Sequence, residues 1–84
     1  MEHRHEEMLM ARLEDVYLNG CTHITYTELY FWYDVKKIAA GTLRDLNDRW
    51  KKISGSSARL MQIEGKAGIF LYDASNARPV YKAA

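Results

Sequence analysis

The sequence predicts a small α+β domain in which three helices are followed by a C-terminal β-hairpin. Apolar residues recur at helical spacing in two stretches, and an aromatic segment with a helix-start signal lies between them. Near the C-terminus, two short apolar runs flank a glycine-containing turn. Eighty-four residues with 48% apolar and 12% aromatic content suffice for one hydrophobic core. We therefore expect residues 1–84 to form a single domain.

The first predicted helix covers residues 3–18. The sequence "LNG" ends it, and Gly20 suits the left-handed position that follows many helices. The next segment, "CTHITY", is rich in β-branched residues and is predicted to be an extended segment or a single strand. The apolar stripe predicted for the helix comprises Leu9, Leu13, Val16 and Tyr17.

The second predicted helix starts near Thr27 and Glu28, with Thr25 or Thr27 as its N-cap, and runs through "ELYFWYDV". Four consecutive aromatic residues cannot all face the core, so we expect at least one ring to be exposed or to make a contact. We interpret the run as core packing plus one dimer or partner contact, rather than as a stacking platform for single-stranded nucleic acid. The segment "KKIAAG" then marks a turn or a new helix start.

The third predicted helix covers about residues 40–53. Its inner face is predicted to comprise Leu43, Leu46, Trp50 and Ile53. Its outer face is predicted to comprise Arg44, Asp45, Asp48, Arg49 and Lys52. The sequence "SGSS" at 54–57 predicts a loop.

The predicted hairpin has one strand over Leu60–Ile63 and a second over Ile69–Tyr72, joined by a turn around "EGKAG". Residues 74–84 are predicted to form an extended or flexible tail. Val80 and Tyr81 are the side chains available to hold that tail against the body of the domain.

Charge is unevenly distributed along this chain of net charge +1. Residues 1–18 hold two basic and five acidic side chains, a balance of −3. Residues 36–52 hold six basic and two acidic side chains, a balance of +4. One face of the fold is therefore expected to be basic although the whole molecule is almost neutral.

Several classes of protein are excluded by composition. Cys21 is the only cysteine, so an intrachain disulfide is impossible. No apolar run approaches the roughly 20 residues of a membrane span, and the charged N-terminus does not resemble a signal peptide. We expect a cytoplasmic or otherwise intracellular protein without a membrane partner.

Catalytic and metal-binding signals are weak. Cys21 and His23 are two residues apart, but nothing else completes the four ligands of a structural zinc site. The turn "EGKAG" lacks the phosphate-loop pattern, and no nucleophile–base signature is recognisable. We therefore predict no enzymatic activity, no metal and no cofactor.

The order helix, strand, helix, helix, hairpin resembles the winged helix-turn-helix superfamily over roughly residues 8–73. The stretch "THITYTELYFWYDVKKIAAGTLRDLNDRWKKI" is similar to the part of such domains that contains the second helix, the turn and the recognition helix. The resemblance implies a recognition helix at about 40–53 that enters the DNA major groove. It also implies a hairpin wing that contacts the backbone or the minor groove.

On this resemblance, we expect a small DNA-binding protein and transcriptional regulator, acting as a dimer because one small module reads few base pairs. Lysine and arginine contact phosphates, and side chains such as arginine and asparagine reach base edges. The predicted nucleic-acid-binding residues are Lys36, Lys37, Thr42, Arg44, Asn47, Arg49, Lys52, Arg59 and Lys66.

An alternative interpretation gives the third helix a solvated or protein-facing outer surface. Arg44–Asp48, Asp45–Arg49 and Asp48–Lys52 are opposite-charge pairs at i, i+4, and the aspartates would repel phosphate. The chain would then be a winged-helix protein–protein module that docks through its aromatic helix or its hairpin. A continuous Arg/Lys surface favours DNA, whereas interruption by Asp45 and Asp48 favours protein.

Overall fold

The computed structural model describes residues 1–55 and 58–81. These described residues form three α-helices and a three-stranded antiparallel sheet, which confirms the predicted α+β class and order of elements. Ser56 and Ser57, in the predicted loop, lie outside the described residues. The elements are α1 (His3–Asn19), β1 (Cys21–Thr25), α2 (Tyr26–Tyr33), α3 (Ala40–Ser54), β2 (Leu60–Glu64) and β3 (Gly68–Asp73).

Helix α1 ends where the sequence predicts. Gly20 adopts φ 94°, in the left-handed region, and its N–H donates to the carbonyl of Val16 at 2.8 Å. The apolar stripe is buried at Leu9, Leu13 and Val16. Tyr17 was predicted to share that stripe and is instead 58% exposed, because it lies at its margin and only the edge of its ring approaches Trp50.

Helix α2 begins with a capping box that selects Thr25, not Thr27, as the N-cap. The Thr25 hydroxyl accepts the Glu28 N–H at 3.1 Å, and the Glu28 carboxylate accepts the Thr25 N–H at 3.0 Å. The helix ends at Tyr33, earlier than predicted, because Asp34 turns into the left-handed region at φ 53°. Its N–H donates to the carbonyl of Tyr30.

The aromatic run of α2 is divided between the core and the surface. Trp32 is buried, Tyr30 and Tyr33 are half-buried, and Phe31 is 61% exposed. The expectation that at least one ring is exposed is therefore confirmed, with Phe31 as that ring.

An ion pair between α1 and α2 supports this arrangement. Both terminal nitrogens of Arg12 donate to the Glu28 carboxylate, and one also donates to the carbonyl of His23 at 2.8 Å. Burial alone would raise the pKa of Glu28, but hydrogen bonds from Thr25 and Arg12 outweigh it and lower that pKa. Arg12 thereby joins α1, β1 and the start of α2.

The sheet has the strand order β1-β3-β2, with both pairs antiparallel, and it contains the predicted hairpin. Its centre is β3, which pairs Ile69 with Ile24 of β1 and Leu71 with Gln62 of β2. Gly68 lies so close to β1 that a Cβ atom there would collide with the carbonyl oxygen of Ile24. Only glycine fits at that point of the strand.

One core cluster joins the helices to the inner face of the sheet. Trp50 is its largest fully buried side chain, and the indole N–H donates to the carbonyl of Ala58 at 3.0 Å. Leu43 and Ile53, predicted as inner residues of α3, are half-buried at the margin. The cluster comprises Leu9, Leu13, Val16, Ile24, Leu29, Trp32, Leu46, Trp50, Ile69 and Leu71.

The predicted tail starts with a 3-10 turn, Ala74–Asn76, rather than with extended chain. The Asp73 carboxylate accepts the Ser75 N–H at 2.9 Å, and the Ala74 N–H donates to the carbonyl of Arg59 at 2.9 Å. Val80 and Tyr81 are exposed and do not hold the tail against the domain. Residues 82–84 lie outside the described part of the chain.

Replacing Trp50 with alanine is expected to destabilise the domain by about 3–5 kcal/mol, because it removes the largest buried side chain and leaves a cavity. Urea denaturation followed by far-UV circular dichroism measures this loss. Tyr81→Ala removes an aromatic ring that is 82% exposed and should change stability by less than about 0.5 kcal/mol. A Trp50→Ala variant with the wild-type midpoint would contradict the assignment of the core.

Candidate nucleic-acid interface

The outer face of α3 is defined by its exposed charged side chains, Arg44, Asp48, Lys51 and Lys52. Their offsets from Arg44 of four, seven and eight residues place them on one side of a helix. Arg44 and Lys51 are two turns apart, about 10 Å along the axis at 1.5 Å per residue. The opposite side carries the buried Leu46 and Trp50.

Arg49 was predicted to lie on this outer face, and that placement is wrong. Its side chain is only 21% exposed, because it points towards α1. Its Nε donates to the Asp45 carboxylate at 2.7 Å and one terminal nitrogen donates to the Glu6 carboxylate at 3.2 Å. The Tyr33 hydroxyl also donates to Asp45, at 2.7 Å. Arg49 therefore connects α3 to α1 and is not presented to a ligand.

The pKa shifts in this cluster keep Arg49 and Asp45 charged and Tyr33 neutral. The hydrogen bond to Asp45 raises the pKa of Arg49. Burial acts to raise the pKa of Asp45, but hydrogen bonds from Arg49 and Tyr33 lower it overall. Burial and the Asp45 carboxylate raise the pKa of Tyr33 well above its usual range. The charge of Asp45 is thus matched within the fold, so Asp48 is the one acidic side chain on the outer face of α3.

Two other predicted residues of α3 also point away from solvent. Thr42 is only 8% exposed in the first turn of the helix, so its hydroxyl is not available to a base edge. Asn47 is half-buried, and it lines a groove between α3 and the hairpin. The helical positions with exposed cationic side chains are Arg44, Lys51 and Lys52.

The remaining predicted cations lie before or after α3 in the sequence, and all of them are exposed. Lys36 and Lys37 lie in the segment between α2 and α3, Arg59 immediately precedes β2, and Lys66 lies in the hairpin turn. That turn is fixed in place, because the Tyr26 hydroxyl donates to the carbonyl of Gly65 at 2.9 Å. The Tyr26 N–H also donates to the carbonyl of Ala67 at 3.0 Å. Lys66 therefore extends from a turn that is attached to the start of α2.

The exposed charges of residues 34–55 and 58–68 are mainly basic. Seven of these exposed side chains are basic and three are acidic, namely Asp34, Asp48 and Glu64. Of the three predicted i, i+4 pairs of α3, only Asp45–Arg49 forms an ion pair among the described residues. Arg44 and Lys51 thus form no ion pair with a carboxylate of the helix, whereas the charge of Lys52 helps to lower the pKa of Asp45. The seven are Lys36, Lys37, Arg44, Lys51, Lys52, Arg59 and Lys66.

Lys51 was not among the predicted contact residues. The signal was present in the sequence, because a residue seven positions after Arg44 lies almost directly above it on a helix. The converse error at Arg49 had a partial signal, because Arg49 is four residues after Asp45 and about 140° round the helix from Arg44. Its contact with Glu6 had none, since Glu6 is distant in the chain and is brought near by the packing of α1 on α3.

In the described part of the chain, no three His, Cys, Asp or Glu side chains cluster to suit a metal ion. No helix of residues 1–55 and 58–81 is long and apolar enough to cross a membrane. The chain matches no family model, no curated protein and no solved structure. Inferences about function therefore depend on the geometry of the chain itself.

Arg49→Ala is expected to lower the free energy of unfolding by about 1 kcal/mol, since it breaks charged hydrogen bonds whose acceptors are partly screened by solvent. Arg44→Ala is the matched control, with an exposed arginine on the same helix, and should leave stability within about 0.5 kcal/mol of wild type. Chemical denaturation of the two variants in parallel measures the difference. Equal effects would mean that Arg49 is not a structural residue.

Proposed function

We propose that this chain is a winged helix-turn-helix domain that binds duplex DNA through the outer face of α3 and the hairpin turn. The order of elements and the strand order β1-β3-β2 support this proposal, since the hairpin follows α3 and returns to pair with the strand that precedes α2. Helix α3, with 15 residues, is about 22 Å long and narrow enough to enter a major groove about 12 Å wide.

The observation that carries the proposal is the exposure of cations on α3 that form no ion pair with the described residues. Arg49 and Asp45 are paired internally, and Asp48 is the one exposed acidic side chain of the helix. Arg44 and Lys51 lie on one line of the helix, and Arg49 with Asp45 is withdrawn into the contact with α1. Side chains that are free of internal partners are available to phosphates and base edges.

The proposed contacts divide by chemistry. Arg44 is the candidate for base recognition, because a guanidinium can donate two parallel hydrogen bonds to guanine. Lys51 and Lys52 on α3 and Lys66 in the turn are suited to phosphates, which attract ammonium groups without regard to sequence. Lys36, Lys37 and Arg59 extend that phosphate-binding set, whereas Thr42, Asn47 and Arg49 are removed from it.

A role in transcription regulation follows as part of the same proposal. One module of this size contacts few base pairs, so selective binding to an operator requires two copies or a second DNA-binding unit. We therefore propose that the domain acts on DNA in pairs, with each α3 reading one half-site.

Fluorescence anisotropy with a labelled random-sequence duplex of about 20 base pairs tests the proposal, across roughly 50–200 mM salt. Affinity should fall steeply with salt because phosphate contacts release counterions. The double variant Lys51→Ala/Lys52→Ala, which removes two proposed phosphate contacts, should reduce the slope of log K against log salt by about 2, close to 0.9 per lost contact.

Arg4→Ala is the control, because Arg4 is an exposed arginine at the start of α1, outside the proposed surface. It should bind DNA as wild type does. Binding that is undetectable at the lowest salt, or that does not depend on salt, would contradict DNA binding. An equal loss in the Arg4 variant would contradict the assignment of the surface to α3.

A further inference from the structure

Strand β2 is one of the two edge strands of the sheet. On the other edge strand, β1, the His23 carbonyl accepts from Arg12 and the Thr25 N–H donates to Glu28.

Hydrogen bonds at the two ends of β2 establish which of its backbone groups β3 does not use. The Gly65 N–H donates to the carbonyl of Gly68, and the Ala74 N–H donates to the carbonyl of Arg59. In an antiparallel ladder, bonded pairs alternate with unbonded ones. Odd-numbered residues of β2 therefore bond to β3, and the N–H and C=O groups of Leu60, Gln62 and Glu64 point outward.

Beside this edge lies a mainly apolar groove of about 170 Å³ between α3 and the hairpin. Its walls include Leu43 and Leu46 of α3 and Leu60 and Leu71 of the sheet. The groove exceeds the cavity of about 150 Å³ that binds benzene in an engineered protein core, so it has room for one apolar side chain. The side-chain oxygen of Gln62, which lines the groove, is buried without a hydrogen-bond partner among the described residues.

An extended segment that pairs with β2 would use both features together. Side chains of directly paired residues lie on the same face of a sheet. The residue opposite Gln62 would therefore direct its side chain towards the groove, between the apolar walls formed by α3 and the sheet. Its two neighbours would lie on the outer face beside Met61 and Ile63, which are 37% and 57% exposed. Alternating apolar residues in the segment would thus find apolar contacts on both faces.

The charges around the groove indicate which segment fits. Arg44 and Lys51 lie three residues before and four after Asn47, so they share the side of α3 on which Asn47 lines the groove. Arg59 precedes β2, and Glu64 is the acidic side chain of the strand itself. Asp48 lies about 100° further round the helix from Asn47. An acidic segment complements these three cations, whereas a second copy of this chain would bring the same cations against them.

We propose that the free edge of β2 and the adjoining groove bind an extended segment of a partner protein, with apolar residues at its centre and acidic residues at its ends. The segment adds a fourth strand to the sheet, and its backbone groups pair with those of Leu60, Gln62 and Glu64. The site shares Arg44, Lys51 and Arg59 with the proposed DNA-binding surface, but the binding of the segment does not require DNA.

Amide hydrogen exchange measured by NMR tests the proposal without DNA. The probe is a synthetic nonapeptide with a Val-Leu-Val-Leu-Val centre and two acidic residues at each end, blocked at both termini. At a free concentration of ten times its Kd, it should slow exchange of outward-pointing β2 amides, such as that of Gln62, about tenfold, because only the unbound fraction exchanges. Protection of β1 instead of β2 would overturn the proposal.

Gln62→Pro removes an outward N–H that the β2–β3 ladder does not use, so it should abolish peptide binding while the melting temperature stays close to wild type. Gln62→Ala is the matched control, since it retains the N–H and should still bind. If Gln62→Pro does not fold, Glu64→Pro makes the same test at the next outward position. Wild-type peptide affinity in a folded proline variant would overturn the proposal.

Two further comparisons test the choice of occupant. A peptide with lysine in place of each acidic residue should bind at least about tenfold more weakly, which corresponds to 1.4 kcal/mol. Equal binding would overturn the acidic character of the partner. If exchange at Gln62 slows with protein concentration in the absence of peptide, the edge pairs with a second copy, and the proposed partner is wrong.

Discussion

The pairing of β1 with β3 is the interaction on which the arrangement of this domain depends. It joins a strand near the N-terminal third of the chain to one near its C-terminal end, with Cys21 opposite Tyr72 and Thr25 opposite Gly68. The closest approach is at Gly68, where any side chain would collide with the backbone of Ile24. Without this contact, the hairpin would have no fixed position relative to the helices.

Several features of the candidate surface follow from that pairing. The hydroxyl and the N–H of Tyr26 attach the hairpin turn to the start of α2, which positions Lys66. Strand β2 then lies beside α3, and the space between them becomes the groove lined by Leu43 and Leu71. A single long-range strand pair thus positions the hairpin turn and the free edge of β2, whereas the contact with α1 orients the outer face of α3.

Internal ion pairs determine which charges remain available. Arg12 neutralises Glu28 between the first two helices, and Arg49 neutralises Asp45 and contacts Glu6 between α1 and α3. These ion pairs neutralise carboxylates that would otherwise repel an anionic ligand. The apparent balance of acidic and basic residues along α3 therefore understates how basic its exposed side is.

The sequence predicted those features that depend on local chemistry. The end of α1 at Gly20 and the two strands of the hairpin are signalled within a few residues, and the structure confirms them. The burial of Thr42 is indicated by its spacing, since it lies four residues before the buried Leu46 on the same side of α3. The contact of Arg49 with Glu6 depends on how α1 packs against α3, which no local pattern specifies. The position of Tyr17 at the edge of its stripe has the same origin. The sequence therefore predicted which helix forms the candidate surface, but not which of the side chains of that helix are exposed.

The central claim is that α3 presents its outer face to DNA. Titration of the ¹⁵N-labelled protein with a random-sequence duplex, followed by amide chemical shifts, tests it most directly. The account predicts the largest shift changes at Arg44, Lys51 and Lys66, and little change at the exposed start of α1 around Arg4. Changes concentrated on α1 or on the aromatic helix around Phe31, with α3 unaffected, would contradict it.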